Sequence, residues 1–391
     1  MMRWKAVLLF LFLSLLMRAG NSAVYASFDS PLYESIYAQL EELELDEVLR
    51  YVEILESEYR EFVPTLRFQD IITADSSGRS GRELLALMGR TLLKEVYFSS
   101  HLLRQLVLVA VLSAFLHRLG TSFGEKTVVE LAFGVCFLVL VFIGLQSFRT
   151  ILSMAGETMD NMVSFMYSLL PLMSALLAAV GGVTSAAIFH PILISAVGSI
   201  AWAVRYVLFP LIFTSAILGL LSNFSNEFPM SRLAGLARQI TVTVLGALFI
   251  VFFGVVAVRG TISPVADGIT LRAAKFFAKT FVPVVGSMFA DAVEVVIGGS
   301  LLIKNAVGVF GLIMIFFLVT IPIMKVWAVV LVYKLVSALI EPICDKRLVG
   351  ALTSLEGSLT LVLVSLATVA LMFFLAVTVL VGMGNLAVLM R

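Results

Sequence analysis

The sequence of 391 residues is too apolar for a water-soluble protein, since 60% of its residues are hydrophobic and 14% are charged, whereas soluble domains carry about 25% charged residues. The charges are also unevenly distributed: residues 27–100 contain 7 basic and 15 acidic side chains (net −8), and residues 101–391 contain 17 and 11 (net +6). This composition excludes a soluble enzyme and divides the chain into a solvated module and a membrane module.

Residues 1–26 have the organisation of a secretory signal peptide. A basic start is followed by an apolar run of 12 residues at Ala6–Met17 and by a small-x-small cleavage site at Val24–Ala26. The apolar run is too short to span about 30 Å of hydrocarbon. An uncleaved anchor is the alternative, and it gives the same orientation. We therefore expect residues 27–100 to lie outside the cytoplasm.

The exported module is predicted to be helical and acidic. Apolar residues recur at spacings of four and three from Val48 to Phe62, which indicates a helix that ends at Pro64. Eight glutamates within and just before this helix are typical of a solvated face, and a docking surface for a basic partner is the alternative. Residues 75–81 predict a flexible linker, and a second helix at 82–100 leads into the membrane.

Beyond the exported module, nine apolar segments are long enough to be membrane spans. Two neighbouring pairs have almost no connecting loop, which predicts tight hairpins or helices kinked at Pro191, Pro210 and Pro322. Two connections, Arg149–Met162 and Arg259–Lys279, are amphipathic, which is typical of segments that lie in the membrane interface. The nine segments are 102–117, 128–148, 164–182, 186–204, 206–222, 239–258, 306–323, 326–342 and 358–383.

Four short landmarks recur in the same order in the two halves of the membrane region, 110 to 115 residues apart. They predict a tandem repeat that covers 128–236 and 239–351. The repeat aligns 281–303 with the span 164–182, which gives a tenth span and four spans per repeat in parallel topology. The landmarks are Pro171 with Pro283, Ala196–Gly198 with Ala306–Gly308, Pro210 with Pro322, and Arg232–Gly235 with Arg347–Gly350.

The predicted fold class is thus all-α: a polytopic transmembrane helical bundle of about nine or ten spans, with a small N-terminal extracytoplasmic helical module. The domains are the signal peptide (1–26), the acidic module (27–100) and the membrane domain (101–391).

Ionisable side chains in the membrane region are candidate functional residues, because a charge at the bilayer centre costs roughly 2.5–3.5 kcal/mol. Asp291 and Glu294 share a helical face, and Lys304 could neutralise one of them. Three interpretations are open for these charges. They line a polar conduit, they form a buried pair that locks the repeats together, or their segment lies at the surface.

A second candidate site combines glycines, a histidine and a proline at the start of a span. Gly181 and Gly182 allow backbones to approach closely, and Pro191 frees a backbone carbonyl next to His190. An unwound helix at this point could line a cavity. A histidine that caps a neighbouring carbonyl is the alternative.

The sequence contains no catalytic or cofactor-binding constellation. Its histidines do not have metal-ligand spacing, and no phosphate-binding loop is present. Cys136 and Cys344 are the only cysteines, so we expect no disulfide and interpret both as buried small hydrophobic residues. We expect no enzymatic activity, no cofactor, no metal and no nucleic-acid partner. If transport requires ATP, another subunit supplies it.

Two long strings, Gly181–Pro191 (GGVTSAAIFHP) and Asp267–Phe276 (DGITLRAAKF), resemble the stage III sporulation protein AE family of endospore-forming bacteria. Phe281–Pro283, Ser300–Gly308 and Gly384–Arg391 are similar to that family as well. The resemblance covers about residues 100–391. The acidic module resembles the family only in its position after a signal peptide.

The resemblance implies a multi-pass component of the mother-cell membrane around the forespore, in a complex with other stage III A proteins that include an ATPase and ring-forming subunits. That complex joins the stage II sporulation protein Q of the forespore membrane. The resemblance also implies a role in late forespore gene expression, as part of a channel or secretion-like apparatus. It defines no catalytic residues. From the residues alone, the alternative is a self-contained secondary transporter of a small solute; an intramembrane enzyme is disfavoured.

Overall fold

The computed structural model describes residues 81–123, 126–224, 230–281 and 285–389. The signal peptide, most of the acidic module and residues 75–80 of the linker lie outside these residues, and the expectations about them stay predictions. The part of the chain that is described is almost entirely helical and contains no strand. The all-α prediction is therefore confirmed, and so is the predicted helix that begins near residue 82.

Within the described ranges, eight α-helices and one π-helical turn follow one another. Three of the helices, α3, α6 and α7, contain 54, 51 and 56 residues. At 1.5 Å per residue each is longer than about 75 Å, more than twice the thickness of the hydrocarbon layer. The elements are α1 (Gly81–Phe98), α2 (Ser100–Phe123), α3 (Lys126–Ala179), α4 (Val183–Ala203), the π-helical turn (Val204–Leu208), α5 (Phe209–Phe224), α6 (Ser231–Phe281), α7 (Val285–Ile340) and α8 (Lys346–Leu389).

Apolar segments that the sequence suggested as separate spans are joined into continuous helices. Among the described residues, five helical segments are long and apolar enough to cross a membrane, and α1 with α2, which meet at a bend of 46°, make a sixth if taken together. The count of nine or ten spans was wrong because polar residues between apolar segments lie on uninterrupted helices and not in turns. The five segments are Glu130–Ala179, Val183–Phe224, Ser231–Thr270, Val296–Ile340 and Lys346–Asn385.

Both amphipathic connections are interior parts of long helices. Arg149–Met162 lies in the middle of α3, and Arg259–Lys279 lies within α6. They are therefore not separate connections, and their location in the membrane interface stays a prediction. Tight hairpins are absent at the two loop-free pairs, since Pro322 lies inside α7 and Pro210 lies in the first turn of α5, next to the π-helical turn. A π-helical turn is a common adjustment where a proline disturbs the hydrogen bonding of a helix.

The two predicted repeat units each hold two long helical segments and not four spans. The range 128–236 contains α3 and the α4–α5 segment, and the range 239–351 contains most of α6 and α7. The four-span unit was therefore wrong. The duplication itself, and the parallel arrangement of the two units, stay predictions.

The core consists of apolar side chains packed between the long helices. The most extensive packing is between α7 and α8, and α8 also packs against α3, α5 and α6. The Tyr333 hydroxyl of α7, fully buried, donates a hydrogen bond to the Gly144 carbonyl of α3 at 3.3 Å. Along the same pair of helices Gly311 lies against Leu169. The two contacts show that α7 runs antiparallel to α3.

The two cysteines are free and occupy different environments. Cys136 is buried within α3, as predicted, whereas Cys344 is half-buried in the turn before α8. The Cys344 thiol donates a hydrogen bond to the Ala110 carbonyl at 3.2 Å. Burial, together with the neighbouring Asp345 carboxylate, raises the pKa of the Cys344 thiol. It is therefore a poor nucleophile at neutral pH.

Candidate functional site at one end of the bundle

Helix α3 ends at the two glycines that the sequence singled out. Gly181 has a φ of 95°, in the left-handed region where a side chain is strained. Its N–H donates to the Ala178 carbonyl and the N–H of Gly182 donates to the Leu177 carbonyl, both at 2.9 Å. This pair of bonds is the Schellman arrangement that satisfies the last carbonyls of a helix. The glycines therefore reverse the chain from α3 into α4.

The start of α4 is capped by a carboxylate from a helix more than eighty residues away in sequence. Gly182, at the N-cap, has no side chain to accept the first amides of α4. Asp267 of α6 supplies the acceptors: its Oδ1 accepts from the Thr184 N–H at 2.9 Å and its Oδ2 from the Ser185 N–H at 3.0 Å. The side chain is 2% exposed. Two amides that the helix leaves unpaired are thereby satisfied, and the negative charge lies at the positive end of the helix dipole.

This contact joins two distant parts of the sequence. Asp267 opens the string at 267–276 and Thr184 lies in the string at 181–191, and these are the two strings that carry the family resemblance. Asp267 was missed as a candidate residue because its region was interpreted as an interfacial connection. The signal available in the sequence was an isolated carboxylate within an apolar stretch of helix.

His190 and Pro191 lie on an unbroken helix. The helix α4 continues through Pro191, so the prediction of an unwound segment was wrong. The Ser174 hydroxyl donates to the Leu170 carbonyl at 2.7 Å, which leaves the Ser174 oxygen to accept from His190 Nδ1 at 3.1 Å. His190 therefore binds a side chain of α3 and not a backbone carbonyl, the alternative that the sequence left open.

Lys304 forms the centre of a polar cluster between α7 and α8. The side chain is fully buried, and Nζ donates to the Val381 carbonyl at 2.7 Å. The Lys304 side chain packs so closely against Gly384 that a Cβ on residue 384 would overlap with Nζ. One residue further on, Asn305 Nδ2 donates to Asn385 Oδ1 at 3.1 Å. We call these five residues the Lys304 cluster; its hydrogen bonds tie α7 to α8.

Asp291 and Glu294 lie on the backbone of α7, ahead of Lys304, and their side chains fall outside the described part of the chain. Glu294 precedes Lys304 by 10 residues and Asp291 precedes it by 13, which correspond to about 15 and 20 Å along a helix. The pairing of Lys304 with one of them, and a conduit role for these carboxylates, therefore stay predictions.

Most of the candidate residues come together at one end of the bundle. Gly308 of α7 lies beside Met173 of α3, so Lys304, one turn earlier in α7, is level with the last turns of α3. His190 is held to Ser174 in the same turns. We call this region the Gly181 end. It contains Gly181, Gly182, His190, Pro191, Asp267 and the Lys304 cluster.

The two charged groups of the Gly181 end bind backbone groups of neighbouring helices. The Asp267 carboxylate binds two backbone amides and the Lys304 ammonium binds a backbone carbonyl. Within the described ranges, no group of three or more histidine, cysteine or acidic side chains is arranged to hold a metal ion. The contacts of Asp267, His190 and the Lys304 cluster fix the relative positions of α3, α4, α6, α7 and α8.

Long apolar helices and buried polar groups bound to backbone define a polytopic helical membrane protein. The family model for Stage III sporulation protein AE matches residues 67–384. Stage III sporulation protein AE of Bacillus subtilis (strain 168) is 35% identical over 352 residues, which are 89% of this chain and 88% of that protein. The chain therefore belongs to the stage III sporulation protein AE family. No solved structure matches it.

Family membership confirms the resemblance carried by the two strings. The chain is a stage III sporulation protein, with a role in sporulation, and it is a membrane protein in that context. The family does not correspond to a known enzyme class.

Proposed function

We propose that this chain is a non-enzymatic, polytopic subunit of a transenvelope channel or secretion-like complex between the mother cell and the forespore, needed for forespore development and late forespore gene expression. The observation that carries the proposal is the family match, which extends from residue 67 to residue 384 and so covers the described membrane helices except for the last residues of α8. The partners in this proposal are the other stage III A proteins, including an ATPase and ring-forming subunits, and indirectly the stage II sporulation protein Q.

The contacts at the Gly181 end support a role as an assembly platform. A subunit that transmits or resists force between partners needs helices fixed to one another, and here buried charges bind backbone groups across helices. Because ionised groups form the stronger hydrogen bonds, these contacts hold the helices in register. A buried charge that loses its partner is strongly destabilising, so such contacts also make the arrangement of the helices specific.

The location that we propose is the mother-cell membrane surrounding the forespore, with residues 27–100 on the extracytoplasmic side. The predicted signal peptide supports this orientation. The acidic module carries a net charge of −8 over residues 27–100, which suits docking onto a basic partner in the space between the two membranes.

The second candidate function, a self-contained secondary transporter, is favoured by one observation. Lys304 is a fully buried ionisable group within a segment apolar enough to span the membrane, and such groups commonly mark transport pathways. The two functions differ in their need for partners. A carrier moves solute when reconstituted alone, and a platform does not.

The experiment is complementation of a sporulating strain that lacks this protein, with a late forespore reporter gene as the readout. We expect the wild-type chain to restore reporter expression after engulfment. Asp267→Ala is expected to fail or restore it weakly, because it leaves two amides of α4 without acceptors, whereas the matched control Thr270→Ala, one turn further along α6, restores it. Full late forespore expression in the strain without the protein contradicts the proposed function. Solute uptake by the purified chain alone in vesicles favours the transporter.

A further inference from the structure

The outward surface of α3 is polar over the middle of the helix. Every residue of α3 that is exposed between 146 and 168 carries a polar or charged side chain. These residues follow one another at spacings of three and four, as in the run Thr150, Ser153, Glu157 and Asn161, and so lie on one side of the helix. At 1.5 Å per residue the stretch is about 33 Å long, close to the roughly 30 Å of hydrocarbon in a bilayer.

Two contacts join this part of α3 to the α4–α5 segment. Asp160 forms an ion pair with Arg205 in the π-helical turn, and the Arg205 guanidinium also donates to the Gly156 carbonyl at 3.1 Å. The hydroxyl of Tyr167 lies against Gly198 of α4. The later residue of α3 thus contacts the earlier residue of its neighbour, which shows that the two helical segments are antiparallel.

Polar residues of both segments lie on the same side of these contacts. Asn161 and Ser168 each follow a contact residue of α3 by one position, and Ser199 and Tyr206, both exposed, each follow a contact residue of the other segment. One position turns a side chain by about 100° around the helix. In two antiparallel helices this rotation brings both sets of side chains to the same side of the pair. We call the exposed residues of α3 from 146 to 168, together with Ser199, Arg205 and Tyr206, the α3 polar face.

Hydrogen bonds show which part of α6 lies at the level of the α3 polar face. The Ser215 hydroxyl of α5 donates to the Ala234 carbonyl of α6 at 3.0 Å, and Asp267 of α6 caps α4 at Thr184. Residues 234–267 of α6 therefore lie alongside α4 and α5 in the reverse order. Because Arg205 precedes Ser215 by ten residues, it is level with the part of α6 around residue 244.

The outward surface of α6 at this level is apolar. Within residues 236–251, all of them described, none of the exposed side chains is charged. Leu236, Ile240, Val242 and Ile250 are between 41% and 71% exposed. Such a surface is suited to lipid, which indicates that this level of the bundle lies within the hydrocarbon layer. Charges exposed to lipid are unfavourable, so the α3 polar face is covered by protein or by water.

The charges of the α3 polar face favour water over a dry contact. Glu157 and Asp160 are one turn apart and both exposed, and Asp160 remains 54% exposed although it is paired with Arg205. Copies arranged around an axis along the membrane normal bring the same residues together at the same level. Carboxylates that meet in this way repel one another in a dry interface, whereas water screens them. Arg149 and Arg205 balance the two carboxylates, so a ring of copies accumulates no net charge on this face.

We propose that the α3 polar face lines a water-filled pathway across the hydrocarbon layer, and that the same face of further copies of this chain forms the opposite wall. The solutes that suit it are small, hydrated and polar or ionic, without a strong preference for one sign of charge, because the face carries both signs equally. The proposal assigns residues 149–162 to this pathway instead of the membrane interface. A role of the pathway as the conduit of the channel rests on the proposed function.

The test compares the reactivity of single cysteines in the full-length chain, reconstituted without other proteins into vesicles of phosphatidylcholine and phosphatidylglycerol. Cys136 and Cys344 are first changed to alanine. Ser153→Cys and Ser199→Cys then place thiols on the two helical segments of the α3 polar face. Ala247→Cys, the matched control, places an exposed thiol on the apolar surface of α6 near the same level. The reagent is an anionic methanethiosulfonate, which dissolves in water and does not cross lipid.

We expect the thiols at 153 and 199 to react more than about tenfold faster than the thiol at 247, because a thiol in apolar surroundings is not ionised. Fast reaction in vesicles that contain only this chain also supports a wall made of its copies, since a single copy exposes the face to lipid. If the chain without native cysteines fails to fold, the same cysteines are added to the native chain and the unmodified chain is the blank.

Two results overturn the proposal. Reaction at 153 or 199 as slow as at 247 shows that the α3 polar face is not in water. Reaction at 247 as fast as at 153 and 199 shows that this level of the bundle does not lie in hydrocarbon. Because the vesicles contain no other sporulation protein, either result leaves the proposed function standing, and complementation tests that function separately.

Discussion

The Asp267 carboxylate of α6 accepts a hydrogen bond from the backbone amide of Thr184 at 2.9 Å, at the point where α4 begins. A carboxylate from another helix thus performs the task that an N-cap side chain performs in most helices. Because Gly182 has no side chain, the start of α4 depends on the position of α6. The contact makes the relative position of these two helices a condition for a stable α4.

Replacing Asp267 is expected to destabilise the protein. Asp267→Ala leaves the amides of Thr184 and Ser185 without acceptors and is expected to cost about 1–2 kcal/mol, with a smaller loss for Asp267→Asn, which retains one acceptor. The midpoint of thermal unfolding in detergent micelles measures the loss. Thr270→Ala is the control on the same helix. Equal midpoints for Asp267→Ala and the control would show that the cap contributes nothing.

Gly384 is expected to tolerate a side chain only if Lys304 is shortened. A Cβ at Gly384 overlaps with the Lys304 ammonium, so Gly384→Ala is expected to cost about 1–3 kcal/mol. In a Lys304→Ala background the overlap is removed, and Gly384→Ala is then expected to add almost no further loss. Gly382→Ala is the matched control, because no atom lies within 4 Å of its added Cβ. Additive losses in the double variant refute the contact.

Gly181 is expected to resist substitution because of its backbone conformation. With a φ of 95°, Gly181→Ala forces an L-residue into the left-handed region, which costs about 1–2 kcal/mol. Gly246→Ala, within α6 and with open space around its Cβ, is expected to be neutral or to stabilise the helix by up to about 1 kcal/mol. The midpoints of thermal unfolding of the two variants measure this difference in stability. A Gly181→Ala variant as stable as Gly246→Ala would contradict the turn geometry.

The acidic module is expected to be accessible from outside the cell membrane. A cysteine at Ser77, in the predicted linker, should react with a membrane-impermeant thiol reagent in intact, non-sporulating cells that express the chain, where the extracytoplasmic side faces the medium. The unmodified chain is the control, since Cys136 is buried and burial raises the pKa of the Cys344 thiol. Labelling of Ser77→Cys only after lysis places the module in the cytoplasm.

The sequence predicts that the chain forms membrane helices better than it predicts where those helices end and how they pack. An apolar run such as 128–148 marks a membrane helix without ambiguity, but hydropathy does not distinguish a polar turn from a polar side chain on one side of a continuous helix. Asp160 shows the difficulty: in sequence it interrupts two apolar segments, and in the structure it pairs with Arg205 from the neighbouring helix. The partner that stabilises such a charge is distant in sequence, so the pattern of one segment does not reveal it.

The same limit applies to the Gly181 end. Gly181, Gly182, His190 and Lys304 were singled out from residue type and position, and the structure brings them to one region. Asp267 was missed, because its importance comes from two amides more than eighty residues earlier. The hydrogen bond from Lys304 to Val381 likewise depends on the packing of α7 against α8.

The most direct test of the central claim is affinity purification of the full-length chain from sporulating cells in mild detergent, followed by quantitative mass spectrometry of the proteins that accompany it. A subunit of a transenvelope complex is expected to co-purify with other stage III A proteins, including the ATPase, in reproducible ratios. Asp267→Ala is expected to reduce their recovery relative to Thr270→Ala at equal amounts of the chain. Purification of the wild-type chain without any of these proteins would contradict the account.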